Sequence, residues 1–157
     1  HHEYYDPHDL NDITPITSLT KERKMNSIRS HKDLDVWKLS MELCSNIYKY
    51  TDKFPDYEKY GLWSQIIRAS VSVPANIAEG SAFKKSYPKV YRRHLYIALG
   101  SLSEVDTLLE IAINLKYLSS IEEEQKKIIR IRQMLFKIIR KLNKTYIKES
   151  YESYEYV

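Results

Sequence analysis

Two groups of basic residues carry the side chains most able to hold a charged partner. Lys84, Lys85, Lys89, Arg92 and Arg93 fall within ten positions, interleaved with Phe83, Tyr87, Tyr91 and Tyr96. Lysine and arginine neutralise phosphates, and an aromatic ring stacks on an unpaired base. Further along, Lys126, Arg130, Lys137, Arg140, Lys141, Lys144 and Lys148 recur largely at steps of three and four, as a stripe on one helix face does. Either group alone is equally a solvated surface. Together they point to nucleic acid, RNA or DNA, held through backbone and shape, because the spacing matches no base-reading motif.

The other reactive types lead elsewhere. Glu79, Glu104 and Glu110 stand among apolar or small neighbours, as does Arg68. Paired carboxylates serve hydrolysis, but no nucleophile–base pattern accompanies these. A structural ion pair of Arg68 with Glu79 or Glu104 inside the fold is expected instead, since buried charge persists when paired. Cys44, the single cysteine, forms no internal disulfide and lies on an apolar stripe, as an inert buried thiol does. His94 has Tyr91 three positions before it, so no Glu-x-x-His pair of a di-metal bundle site exists. Three glycines (Gly61, Gly80 and Gly100) are too few and too scattered for a phosphate-cradling loop or dinucleotide fingerprint. The expectation is a protein that is not an enzyme and has neither cofactor nor metal.

These side chains must be positioned by helices. The 157 residues, 43% hydrophobic and 29% charged, suit one globular domain. No apolar run approaches the roughly 20 residues of a membrane span. With no signal-peptide pattern, the cytoplasm is expected and no membrane partner. Residues 1–30 read as a tail, in which His1-His2 resembles the end of an affinity tag. A bundle over 31–148 follows, then a Tyr/Glu-rich tail over 149–157. Charge is uneven: residues 25–146 hold 21 basic and 13 acidic groups, a formal +8, between acidic ends.

Periodicity predicts four amphipathic helices and no strand. The first runs from about Asp33 to Asp52, with Leu34, Trp37, Met41, Cys44 and Ile47 or Tyr48 as its stripe. The second runs from about Glu58 to Phe83, through Leu62, Ile66, Ala69, Val73 and Ile77, with Pro74 inside it. The third, capped by Ser86, runs to about Tyr117 with Tyr91, Leu95, Ala98, Leu102, Val105, Leu109 and Ala112 at heptad steps. The fourth starts at Ser119 or Ser120, each with glutamate three residues later as in a capping box, and runs to about Lys148. Its seam is Ile121, Gln125, Ile128, Arg132, Leu135, Ile139 and Leu142. The fold class is all-α, an antiparallel up-down-up-down four-helix bundle. Ile131, Phe136 and Ile138 widen the apolar face of the last helix beyond one core stripe, which implies a homo-oligomer or a protein partner.

Several segments also resemble a known family, the four-helix-bundle proteins encoded in intervening sequences of bacterial 23S rRNA genes. They are Asp33-Leu34-Asp35-Val36-Trp37-Lys38, Phe54-Pro55 with Glu58-Lys59-Tyr60-Gly61-Leu62, Ser64-Gln65-Ile66-Ile67-Arg68-Ala69, Ser72-Val73-Pro74-Ala75-Asn76-Ile77-Ala78-Glu79-Gly80 and Gly100-Ser101-Leu102-Ser103-Glu104. The resemblance covers about residues 31–146, although Ile67 and Leu99 stand where the family often carries a basic residue. It implies a small basic bundle assembled as a homopentameric ring, with no catalytic residues. A related branch, the accessory proteins of diversity-generating retroelements, binds nucleic acid and a reverse transcriptase. An accessory subunit of a reverse transcriptase is therefore the alternative to a bundle whose role is nucleic-acid binding alone.

Overall fold

The structure, a computed structural model, describes residues 30–154, with side chains for 30–145. The tail before Ser30, the Lys148 side chain and those of 149–157 lie outside the described residues. Four α-helices and no strand are found there: α1 (Asp35–Thr51), α2 (Leu62–Ser81), α3 (Pro88–Asn114) and α4 (Glu122–Tyr154). Short 3-10 turns, His31–Asp33 and Asp56–Tyr60, lead into α1 and α2. Each helix packs on two others, α1 on α2 and α4, α3 on α2 and α4. This is consistent with a four-helix bundle. Cross-helix pairs run in opposite senses: Arg92, Asp106 and Glu110 of α3 meet Asn143, Arg132 and Gln125 of α4.

The heptad seam of α3 is buried throughout, from Tyr91 to Ala112, as are Leu62, Ile66, Ala69, Val73 and Ile77 of α2. The other two stripes hold most of their expected positions and differ at a few. In the α1 stripe Cys44 and Ile47 are buried and Leu34 and Trp37 pack against the core as expected, while Val36, Ser40 and Leu43 join it and Met41 is exposed. In the α4 stripe Ile121, Ile128, Leu135 and Ile139 are buried and Leu142 packs against the core as expected. Glu124 and Ile131 join it, and Gln125 and Arg132 turn aside to Glu110 and Asp106 on α3. Ile131 takes the core position beside Arg132 because burying an aliphatic side chain is favourable and burying a guanidinium without a partner is costly.

Helix ends differ from expectation for local reasons. Tyr87, not Ser86, precedes α3, because a residue before proline is pushed out of the helical region and Pro88 suits the first turn. The helix then stops at Asn114, with Lys116 at φ 60 and the Tyr117 amide donating to the Ala112 carbonyl at 2.9 Å. That is a Schellman end with lysine where glycine is usual. The box expected at Ser119 or Ser120 reduces to a long 3.4 Å bond from the Glu122 amide to Ser120 Oγ. A capping box forms instead at Ser30 and Asp33. In α2 the helix begins at Leu62, whose amide donates to Glu58 Oε2 at 2.9 Å.

Candidate nucleic-acid interface

Two cross-helix contacts and one depression bring distant parts of the chain to one end of the bundle. Arg92 Nη1 donates to Asn143 Oδ1 at 2.8 Å, which ties the start of α3 to the far part of α4. Gly80 lies so close to α3 that an added Cβ would stand 2.7 Å from His94 Cβ and 3.0 Å from Tyr91 Cδ2. Ser30, His31 and Leu34 share a depression with Lys84 and Lys85. The segments 30–38, 76–97 and 137–145 accordingly form one end. They hold eleven Lys/Arg against three Asp/Glu, a formal +8. The segments 39–75 and 98–136 hold nine against ten, a formal −1.

The two predicted clusters thus meet, although they are some fifty residues apart in sequence. Lys84, Lys85, Lys89, Arg93, Lys137, Arg140, Lys141 and Lys144 are exposed. Among the described residues, no ion pair engages Lys84, Lys85, Arg93, Lys137, Arg140, Lys141 or Lys144. The acids here are few: Asp35 lies 3.9 Å from Lys38, Asp33 accepts the Ser30 amide, and Glu79 lies 3.7 Å from His94 Nδ1. An uncompensated field of this kind attracts polyanions.

Four expected members fall away or change role. Arg92 is half-buried in its bond to Asn143. Tyr91 is 1% exposed and packs in the core, where burial raises its hydroxyl pKa, so it cannot stack on a base. Lys126 is held by Glu122 and Glu123 at 3.1 and 3.0 Å, and those carboxylates raise its pKa. Arg130 is exposed but lies outside the basic end. The exposed rings there are Tyr87, Tyr96 and, in part, Phe83, which stacks parallel to His94 with centroids 6.4 Å apart.

The expected internal ion pair is not formed. Arg68, Glu79 and Glu104 are all exposed, and among the described residues neither Arg68 nor Glu104 has an ion-pair partner. Their helix positions look outward because the uncharged residues beside them, Ala69, Gly80 and Val105, are the ones buried. Nor do Ile131, Phe136 and Ile138 form one outer face. Ile131 is 0% exposed in the core and Ile138 packs against it, because α4 lies between α1 and α3 and buries a broad stripe. Phe136 remains 44% exposed, joined by Ile129 at 53%.

Sequence reasoning missed the buried acid. Glu124 is 1% exposed, with Asn46 Nδ2 at 3.4 Å and the Tyr50 hydroxyl bonded to it. Burial first, and then Glu124, push Tyr50 up to about 12. Its only signal was position: an acid in the first turn of a helix sits at the positive end of the dipole. At the opposite end from the cations, Tyr117 Oη donates to Glu58 Oε1 at 3.0 Å and meets Tyr57 Oη at 3.0 Å. Tyr57 and then burial raise the Tyr117 pKa, with Glu58 adding to them. Among the described residues no group of acids, histidines and cysteine could hold a metal, and no helix is long and apolar enough to cross a membrane.

Four helices around one core, with cations gathered at one end, define a small basic helical protein. A model of the 23S rRNA-intervening sequence protein family matches residues 32–141, and the chain belongs to that family. Among solved structures it is similar to a protein of unknown function from the S23 ribosomal protein family of Bacteroides thetaiotaomicron. That match has a TM-score of 0.59 and 25% identity, over 66% of this chain and 97% of that one. The comparison with curated proteins gives no match. The most specific resemblances now have a physical meaning. Ser72 and Ser101, one from each of two motifs, share a 2.8 Å hydrogen bond across α2 and α3. Asn76 bonds Ser72 on its own helix and His94 on the next, and Gly80 allows the close approach.

Proposed function

We propose that this protein is a non-enzymatic, nucleic-acid-binding, antiparallel four-helix bundle that self-associates, and that its basic end is the binding surface. The observation that carries the reading is the joining of two cation clusters, distant in sequence, on one end where eleven Lys/Arg stand against three Asp/Glu. Backbone contact with RNA or DNA follows from lysines and arginines that are exposed and lack carboxylate partners. The opposed cross-helix pairs support the antiparallel arrangement. Self-association, as the pentamer of the family resemblance, is supported by Ile129 and Phe136, which stay exposed on α4.

Fluorescence anisotropy against structured RNA, single-stranded RNA and duplex DNA, at about 50 and 200 mM salt, tests the binding. With six or more phosphates engaged, affinity is expected to fall about 1,000-fold or more between those salts. No binding at the lower salt would make the cations a solvated surface. The exposed Phe136 also supports a second reading, a protein-interaction scaffold such as a reverse-transcriptase accessory subunit. Phe136→Glu would then abolish capture of that partner while leaving nucleic-acid affinity in place.

A further inference from the structure

Between the turn that precedes α1 and the end of α2 lies a depression of about 470 Å³, walled by Ser30, His31 and Leu34 on one side and Ser81, Lys84 and Lys85 on the other. A phosphate alone is far smaller, and the volume falls in the range of small-molecule sites, roughly 300–1,000 Å³. No acid lines it: Asp33, the nearest in sequence, is turned to the Ser30 amide at 3.1 Å. The walls differ in chemistry. Lys84 and Lys85 supply two exposed ammonium groups. Leu34 and His31 supply an apolar and aromatic wall, with His31 pinned edge-on by Trp37 at 5.2 Å. Ser30 Oγ accepts the Lys32 amide at 3.3 Å, leaving its own hydrogen to donate. Ser81 Oγ donates to the Ala78 carbonyl at 2.7 Å, leaving lone pairs to accept.

We propose that this depression binds one nucleoside 5′-phosphate unit, with its phosphate on Lys84 and Lys85 and its base against His31 and Leu34. The proposal rests on the nucleic-acid reading of the basic end and adds to it a discrete pocket for a single nucleotide. Charge alone would hold any phosphate. An aromatic and apolar wall next to two ammonium groups and two serine hydroxyls distinguishes a nucleotide from inorganic phosphate. Lysine acts here as a point charge on the phosphate, and stacking adds sequence-tolerant affinity.

Calorimetric titration of the full chain with adenosine 5′-monophosphate, uridine 5′-monophosphate, adenosine and inorganic phosphate tests this. The two nucleotides are expected to bind at one site per chain, about tenfold or more tighter than adenosine or phosphate. Lys84→Ala/Lys85→Ala removes the charge and is expected to weaken nucleotide binding about tenfold. Ala82, which also lines the depression, is exposed, so Ala82→Leu narrows the space without touching the core. It is expected to weaken nucleotide binding while leaving the salt-dependent affinity for long RNA within about twofold. A 5′-phosphorylated RNA hexamer outcompeting its unphosphorylated twin would assign the unit to a strand end, whereas equal affinities alongside nucleotide binding would assign a free nucleotide. Inorganic phosphate binding as tightly as the nucleotides would overturn the inference, as would an Ala82→Leu chain that binds them unchanged. Long RNA binding with no nucleotide binding would overturn the pocket and leave the function standing; loss of both would overturn the function itself.

Discussion

Over residues 39–75 and 98–136 cations and acids nearly balance and several are paired, whereas at the basic end the cations outnumber the acids eleven to three. Glu58 accepts from the Leu62 amide and Tyr117, Glu122 and Glu123 hold Lys126, Glu42 reaches Lys127, and Asp106 reaches Arg132. Glu58, Glu42 and Asp106 join separate parts of the fold, and the Lys126 pairs lie within α4. Lys84, Lys85, Arg93, Lys137, Arg140, Lys141 and Lys144 join nothing among the described residues. Residue type alone therefore says little about purpose, and the presence of a compensating acid says more. Exposed ion pairs contribute little to stability, so the contrast concerns where a polyanion can settle.

Variants at the two ends should separate affinity from stability. The largest expected effect is on binding: Lys137→Glu/Arg140→Glu/Lys141→Glu should weaken RNA affinity about 100-fold or more and lower the log–log salt slope by roughly 3. Its melting temperature should stay within a few degrees, since all three side chains are exposed. At the other end, Glu58→Ala should cost about 1–3 kcal/mol by stranding the Leu62 amide and removing one of the two partners of the Tyr117 hydroxyl. Affinity for RNA should not move. Calorimetric melting and anisotropy on both chains check the pair.

Lys116→Gly is a milder change, expected to add about 1 kcal/mol in a denaturant titration by relieving a left-handed lysine. Alkaline melting should shift least. Folding favours the neutral Tyr50 hydroxyl, whose pKa rises from 10.0 to about 12, so its contribution is whole below pH 10 and is lost as pH climbs to 12. Tyr50→Phe should therefore lose less melting temperature than the native chain between those pH values. Tyr91 and Tyr117, shifted the same way, keep the remaining sensitivity in both.

Much of this fold was readable from the sequence where one helix face is wholly apolar. The α3 seam, seven positions at heptad steps, is buried at every one. Reading was poorer where polar residues fall on the heptad seam. In α4 the heptad count selects Arg132, although the adjacent and apolar Ile131 is the residue buried, with Arg132 left 3.9 Å from Asp106 on α3. The end of α3 was overrun by three residues because its left-handed stop is a lysine, with no glycine to mark it. The cation clusters were visible as residues, whereas their meeting depends on Arg92 and Asn143, fifty-one positions apart. The absence of acids to neutralise them is likewise a property of the folded chain.

The most direct measurement compares salt dependence at the two ends. RNA anisotropy would be run from about 50 to 200 mM salt on the native chain, on Lys137→Glu/Arg140→Glu/Lys141→Glu, and on Lys49→Glu/Lys53→Glu/Lys59→Glu from the opposite end. The charge change is equal in the two variants. If the basic end is the binding surface, the first loses roughly three units of slope and most of its affinity, while the second stays close to the native chain. Equal losses in both would show a diffuse attraction to net charge and contradict a binding end.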